Sequence, residues 1–127
     1  MAVSFPGGKK VDATFDGFTV TTDQSQKNGG DGSAPEPLDL LFAALATCSG
    51  VIALIFCQTR GIDTEGMRLR LSAEKNDAAK LFDDVRMKLT LPKEFPRKYR
   101  KAILRAVDQC SVKKHLQQPV HIETVVV

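Results

Sequence analysis

The sequence of 127 residues predicts an α+β protein in which antiparallel strands pack on a long central helix. Three observations predict it. Residues 11 to 22 alternate apolar and polar side chains on both sides of Asp16-Gly17. Leu38 to Cys57 is almost continuously apolar. Two further alternating stretches and an amphipathic helical stretch then follow.

The length suits a single domain spanning 1–127. A composition of 43% hydrophobic and 26% charged residues is that of a packed globular chain and excludes a disordered one. The net charge of +3 is unevenly placed. Residues 1 to 60 hold four Lys/Arg against six Asp/Glu, whereas residues 61 to 127 hold fourteen against nine. A pI near 8.8 falls short of the basic footprint of nucleic-acid binders, so no nucleic-acid partner is expected. The N-terminus lacks a basic segment followed by an apolar one, which points to a cytoplasmic location. Three cysteines, an odd number without a CxxC pair, read as free thiols in a reducing compartment.

Each element has its own signal. Asp16-Gly17 favours a type I′ turn, so residues 11 to 22 form a two-stranded hairpin. Residues 23 to 36, rich in Gly, Ser, Asn and Asp, form an exposed loop and a candidate flap beside a site. Pro37 and Gly61 punctuate a helix over about residues 38–60. Such a helix is about 34 Å long at 1.5 Å per residue. Its apolar run is also long enough to cross a bilayer. A membrane span is not expected, because the rest of the chain reads as amphipathic strands and the flanks lack Trp or Tyr anchors. A helix apolar all round needs cover on every side, and a second copy of the chain supplies it most simply, predicting a homodimer.

Met67, Leu69, Leu71 and Ala73 alternate with Arg68, Arg70 and Ser72. Val85, Met87, Leu89 and Leu91 alternate with Arg86, Lys88 and Thr90. These are half-buried strands with cationic, solvated outer faces. Pro96 opens a second helix to about Gln109, with Tyr99, Ala102, Ile103, Ala106 and Val107 on one face. A short segment from Cys110 to Leu116 precedes a closing strand over Val120 to Val127.

The thiols carry the candidate chemistry. Cys48 and Cys57, nine residues apart on one helix, differ by about half a turn and about 13.5 Å of rise, so they point to opposite faces. Cys57, beside Phe56, reads as a core residue. Cys48 sits in Ala46-Thr-Cys-Ser-Gly50, small residues that let other segments approach its sulfur. Cys110 precedes a short helical turn holding Lys113, Lys114 and His115, where a thiolate is favoured. A buried connector is an equal reading of that segment. His115 and His121 have neither paired-cysteine nor HExxH spacing, so no metal or cofactor is expected. Nothing resembles the GxSxG of a hydrolase.

The stretch Ala34-Pro-Glu-Pro-Leu-Asp-Leu-Leu-Phe-Ala-Ala-Leu-Ala-Thr-Cys48-Ser-Gly resembles the segment of the OsmC/Ohr family in which a proline opens the central helix and a cysteine follows eleven residues later. Cys110-Ser-Val, 62 residues downstream, is similar to the family's second cysteine. The resemblance implies an intertwined homodimer with central helices packed between antiparallel sheets and a two-cysteine site at the subunit boundary. It further implies a thiol peroxidase in which Cys48 reacts with an organic hydroperoxide and Cys110 resolves the product as a disulfide, which a dithiol reductant reopens.

Leu38 stands where family peroxidases place a glutamate, and the first arginine is Arg60. Glu36 and Asp39 are the carboxylates nearest that position and are the candidate substrate-binding residues. In these respects the chain is similar to the divergent OsmC-like branch that keeps both cysteines and lacks the arginine and glutamate. A second hypothesis is a non-enzymatic module whose cleft holds a small apolar ligand or a partner peptide. The separation of the two sulfurs, and polar groups within reach of Cys48, discriminate between the two.

Overall fold

The computed structural model describes every residue except Asp77, Ala79, Lys80 and Pro119. Contacts within the chain define two compact units, Met1–Ala43 and Ala44–Val127, with the boundary inside the long helix.

In the first unit, strands β1 (Ala2–Gly7), β2 (Lys10–Phe15) and β3 (Phe18–Thr22) form an antiparallel sheet in the order β1-β2-β3. The β2–β3 turn is the expected one. Asp16 and Gly17 both take positive φ, 49° and 81°, as a type I′ turn requires. β1 has no counterpart in the sequence reading. Pro6 obscures it there, and an edge strand tolerates a proline because one row of N–H groups has no ladder partner.

The loop after β3 is exposed but organised. Apart from a 3₁₀ turn at Gln26–Asn28 it has no regular structure. Asp23 is buried beneath it, and its carboxylate accepts from the backbone N–H of Gln24 (2.8 Å), Asp31 (3.2 Å) and Ser33 (3.0 Å) and from Ser33 Oγ (2.8 Å). Four donors hold that carboxyl down to about 2, with the two Ser33 bonds contributing most. Gly30 completes the wrap, since a Cβ there would lie 2.0 Å from the Gln24 carbonyl oxygen.

Helix α1 runs Pro37–Gln58. Proline occupies its first position, where a missing N–H costs nothing. At the other end Gly61, with φ 61°, makes a Schellman closure: its N–H bonds Gln58 O (3.1 Å) and the Ile62 N–H bonds Cys57 O (3.0 Å). The helix therefore stops two residues before the predicted boundary, the intervening residues forming the closing turn.

In the second unit α1 buries Leu45, Ser49, Ala53, Phe56 and Cys57, one face at helical spacing. Val51 and Ile55 stay 47% and 51% exposed, so one chain covers only one side of this rod. Strands β4 (Arg68–Asn76) and β5 (Leu81–Thr90) pair antiparallel with the faces predicted, except that Val85, expected to be half-buried, is exposed. Leu69, Leu71, Met87 and Leu89 turn inward, while Arg68, Arg70, Arg86 and Lys88 are exposed. A 3₁₀ turn at Arg97–Tyr99 leads into α2 (Arg100–Val107), which inserts Ile103 and Val107 into a core with Ala53, Phe56, Cys57 and Phe95.

The short helical turn expected after Cys110 is helix α3 (Ser111–Gln117), whereas one expectation at the C-terminal end needs correction. The predicted closing strand over Val120–Val127 does not form, and Ile122, Val125 and Val126 are 80%, 69% and 100% exposed. Alternating apolar residues make a strand only where an edge offers ladder partners, and none is engaged here among the described residues.

Candidate functional site

Cys48 lies about three turns into α1, on its half-buried flank, while Cys110 and Cys57 are fully buried. All three are free thiols. The α2–α3 junction brings residues 110 to 112 against Cys48. Cys110 is the N-cap of α3 and its sulfur accepts the Lys113 N–H at 3.4 Å. That bond fixes the thiol beside Cys48 and satisfies one of the amides a helix start leaves without a partner.

The thiolate of Cys48 is consequently favoured. Its pKa falls from 9.0 to about 7. The largest cause is a hydrogen bond from the Cys110 side chain, followed by the Val112 backbone N–H, against a smaller opposing effect of burial. The Ser111 hydroxyl, 3.7 Å from Cys48 Sγ, and its backbone N–H add to the same effect. All four donors are neutral. A sulfur in this setting holds negative charge because hydrogen bonds to the anion favour it.

This differs from the sequence reading in two respects. The cations expected to activate Cys110 are engaged elsewhere: Lys113 Nζ pairs with Asp108 Oδ1, Lys114 Nζ bonds Gln109 Oε1 (2.7 Å), and His115 Nδ1 contacts Ser111 O (2.7 Å). Ser111 and Val112 were not singled out. Their signal was available, since the first residues of a helix carry N–H groups with no intrahelical acceptor. Cys57 matches its expected core role, with burial raising its pKa despite the nearby charge of Arg60.

Glu36 and Asp39 build the start of α1. Asp39 Oδ2 accepts the Glu36 N–H at 3.1 Å, the back-bond of a capping box. Glu36 Oε1 accepts from the Ser25 N–H and from Asn28 Nδ2, both at 2.9 Å, and its pKa is lowered most by the Ser25 side chain and then by these two bonds.

The family model of OsmC-like proteins matches residues 30–125. The chain belongs to the OsmC-like family. Solved structures of that fold agree over nearly the whole length. A proposed osmotic stress induced and detoxification response protein from Psychrobacter arcticus is 25% identical, with a TM-score of 0.76 over 89% of this chain and 84% of its own. An OsmC-like protein from Mycoplasma pneumoniae is 17% identical, with a TM-score of 0.68 over 85% and 79%. An organic hydroperoxide resistance protein, OsmC, from Legionella pneumophila is 16% identical, with a TM-score of 0.59 over 91% and 86%. No curated protein sequence matches significantly. The α+β, OsmC-like fold read from the sequence is thereby shown.

Proposed function

We propose that this OsmC-like protein is a thiol redox protein that reduces organic hydroperoxides through Cys48 and Cys110. The observation that carries the proposal is the seating of the α3 start on Cys48: Ser111 Oγ lies 3.7 Å from Cys48 Sγ, and Cys110, the residue before it, caps the helix. Cys48 is the attacking thiol because it is the more accessible of the two. Its thiolate takes the terminal oxygen of ROOH, the O–O bond breaks, and ROH leaves after gaining a proton. The resulting Cys48 sulfenic acid condenses with the Cys110 thiol, releasing water and forming a disulfide. A dithiol reductant then returns both residues to thiols and is itself oxidised to a disulfide. Glu36 and Asp39, the candidate substrate-binding residues of the sequence, are bonded into the start of α1, and no cofactor or metal enters the proposal.

The same reading places the protein in the cytoplasm, where thiols are kept reduced, and makes it a homodimer. The exposed Val51 and Ile55 share a helix flank with Cys48 at spacings of three and seven residues, an apolar stripe suited to a second copy of α1. Val51→Asp is expected to turn a sedimenting dimer into a monomer.

The decisive experiment counts thiols. One equivalent of an organic hydroperoxide should consume two of the three, leaving Cys57. Cys48→Ser should consume none, and Cys110→Ser should accumulate a sulfenic acid trapped by dimedone. Unchanged consumption by Cys48→Ser defeats the proposal.

A second reading is favoured by one observation. A crevice of about 630 Å³, with Leu45, Leu69, Met87 and Leu116 in its walls and Asp83, Asp84, Asp108 and Lys113 also lining it, has the size of a small-ligand site. A non-enzymatic apolar-ligand binder would bind a hydrophobic fluorophore there and turn over no hydroperoxide.

A further inference from the structure

The outer face of the β4–β5 ribbon gathers like charges rung by rung. Arg68 faces Thr90, Arg70 faces Lys88, and Ser72 faces Arg86. Alternate residues of a strand share a face, so these six side chains form three successive rungs about 6.7 Å apart. All six are exposed. Four are cations, two are hydroxyls, and none is a carboxylate. The nearest acids on that face, Glu74 and Asp84, oppose each other on the next rung, and Asp84 reaches Arg86 at 3.8 Å. Among the described residues Arg68, Arg70 and Lys88 make no ion pair.

Directly opposed like charges weaken a strand pair. Solvation alone does not call for Arg70 opposite Lys88, since Ser72 and Thr90 show that uncharged polar side chains serve this face. The geometry points to a docking surface for an acidic polypeptide segment in extended conformation. An extended partner presents same-side carboxylates at the period of these rungs, and arginine pairs with a carboxylate through two parallel hydrogen bonds. No aromatic side chain stands on the rungs to stack bases, as single-stranded nucleic acid uses. No apolar side chain stands there to enter a lipid surface. The inference is independent of the thiol chemistry.

A labelled poly-L-glutamate of about 20 residues, followed by fluorescence anisotropy, tests it at about 30 mM and about 300 mM salt. The parent should bind at low salt and weaken at high salt. Arg70→Glu creates an opposed Glu–Lys pair, so it should keep or raise the melting midpoint while weakening binding about tenfold. Arg70→Gln, which adds no charge, should weaken it less. Arg97→Glu changes the net charge equally at an exposed residue that belongs to neither strand, and should leave affinity within about twofold. No binding by the parent, equal weakening by Arg97→Glu and Arg70→Glu, or tighter binding of an oligothymidylate of equal charge would each overturn the proposal.

Discussion

Cys48 Sγ lies 3.7 Å from Ser111 Oγ, and Cys110, the residue before Ser111, accepts the Lys113 N–H on its sulfur at 3.4 Å. The two cysteines are thus ordered. One is buried and held at the cap of α3, and the other is half-buried with its pKa lowered to about 7.

That ordering predicts how the Cys48 thiol responds to pH. In the parent, the rate of alkylation by iodoacetamide should rise through a midpoint near pH 7. Cys110→Ala removes the largest cause of the shift and should move the midpoint upward, slowing the reaction at neutral pH by up to about tenfold. Cys110→Ser keeps a donor and should retain much of the shift. Equal profiles for alanine and parent would show that the Ser111 and Val112 donors suffice alone.

Asp23 predicts an acid-sensitive loop. Its carboxyl titrates at about 2 when folded, below its ordinary 3.8. A depressed folded pKa contributes stability that is fully present above the unfolded value and is lost as pH falls through the folded one. Urea midpoints of the parent should therefore decline from about pH 4 toward pH 2. Asp23→Asn should start lower at neutral pH and lose less over that window.

Two glycines should respond in opposite directions to alanine. At Gly30 the new Cβ meets the Gln24 carbonyl oxygen at 2.0 Å, a backbone atom, so the loop must open and the melting midpoint should fall by several degrees. At Gly50, inside α1, nothing lies within 4 Å of the new Cβ, and Gly50→Ala should stabilise by about 0.5–1 kcal/mol.

Adjacent positions on α2 should differ as widely. Ile103 is fully buried in the core, and Ile103→Ala should cost about 2–5 kcal/mol in denaturant unfolding. Leu104, 57% exposed, should cost under about 1 kcal/mol when replaced by alanine.

Much of the architecture is local, and the sequence alone determined it. The Asp16-Gly17 turn needs only two residues able to take positive φ. The limits of α1 follow from a proline that forgoes an N–H and a glycine that permits a Schellman closure. The inward and outward faces of β4 and β5 follow from period-two alternation, and Cys57 from its apolar neighbours. Other features depended on residues distant in sequence, and only the tertiary structure decided them. Val120–Val127 has a strand's pattern, yet a strand also needs an edge that supplies hydrogen bonds. Asp23 looked like loop polarity until four donors converged on it. Above all, what favours the Cys48 thiolate was not local: Lys113, Lys114 and His115 lie nearest Cys110 in sequence, but their side chains are engaged elsewhere, and the α2–α3 junction brings neutral donors to Cys48 across 62 residues of chain. Hydrogen bonds act over about 3 Å, so the ionisation of a thiol is set by whichever atoms the fold places within that reach.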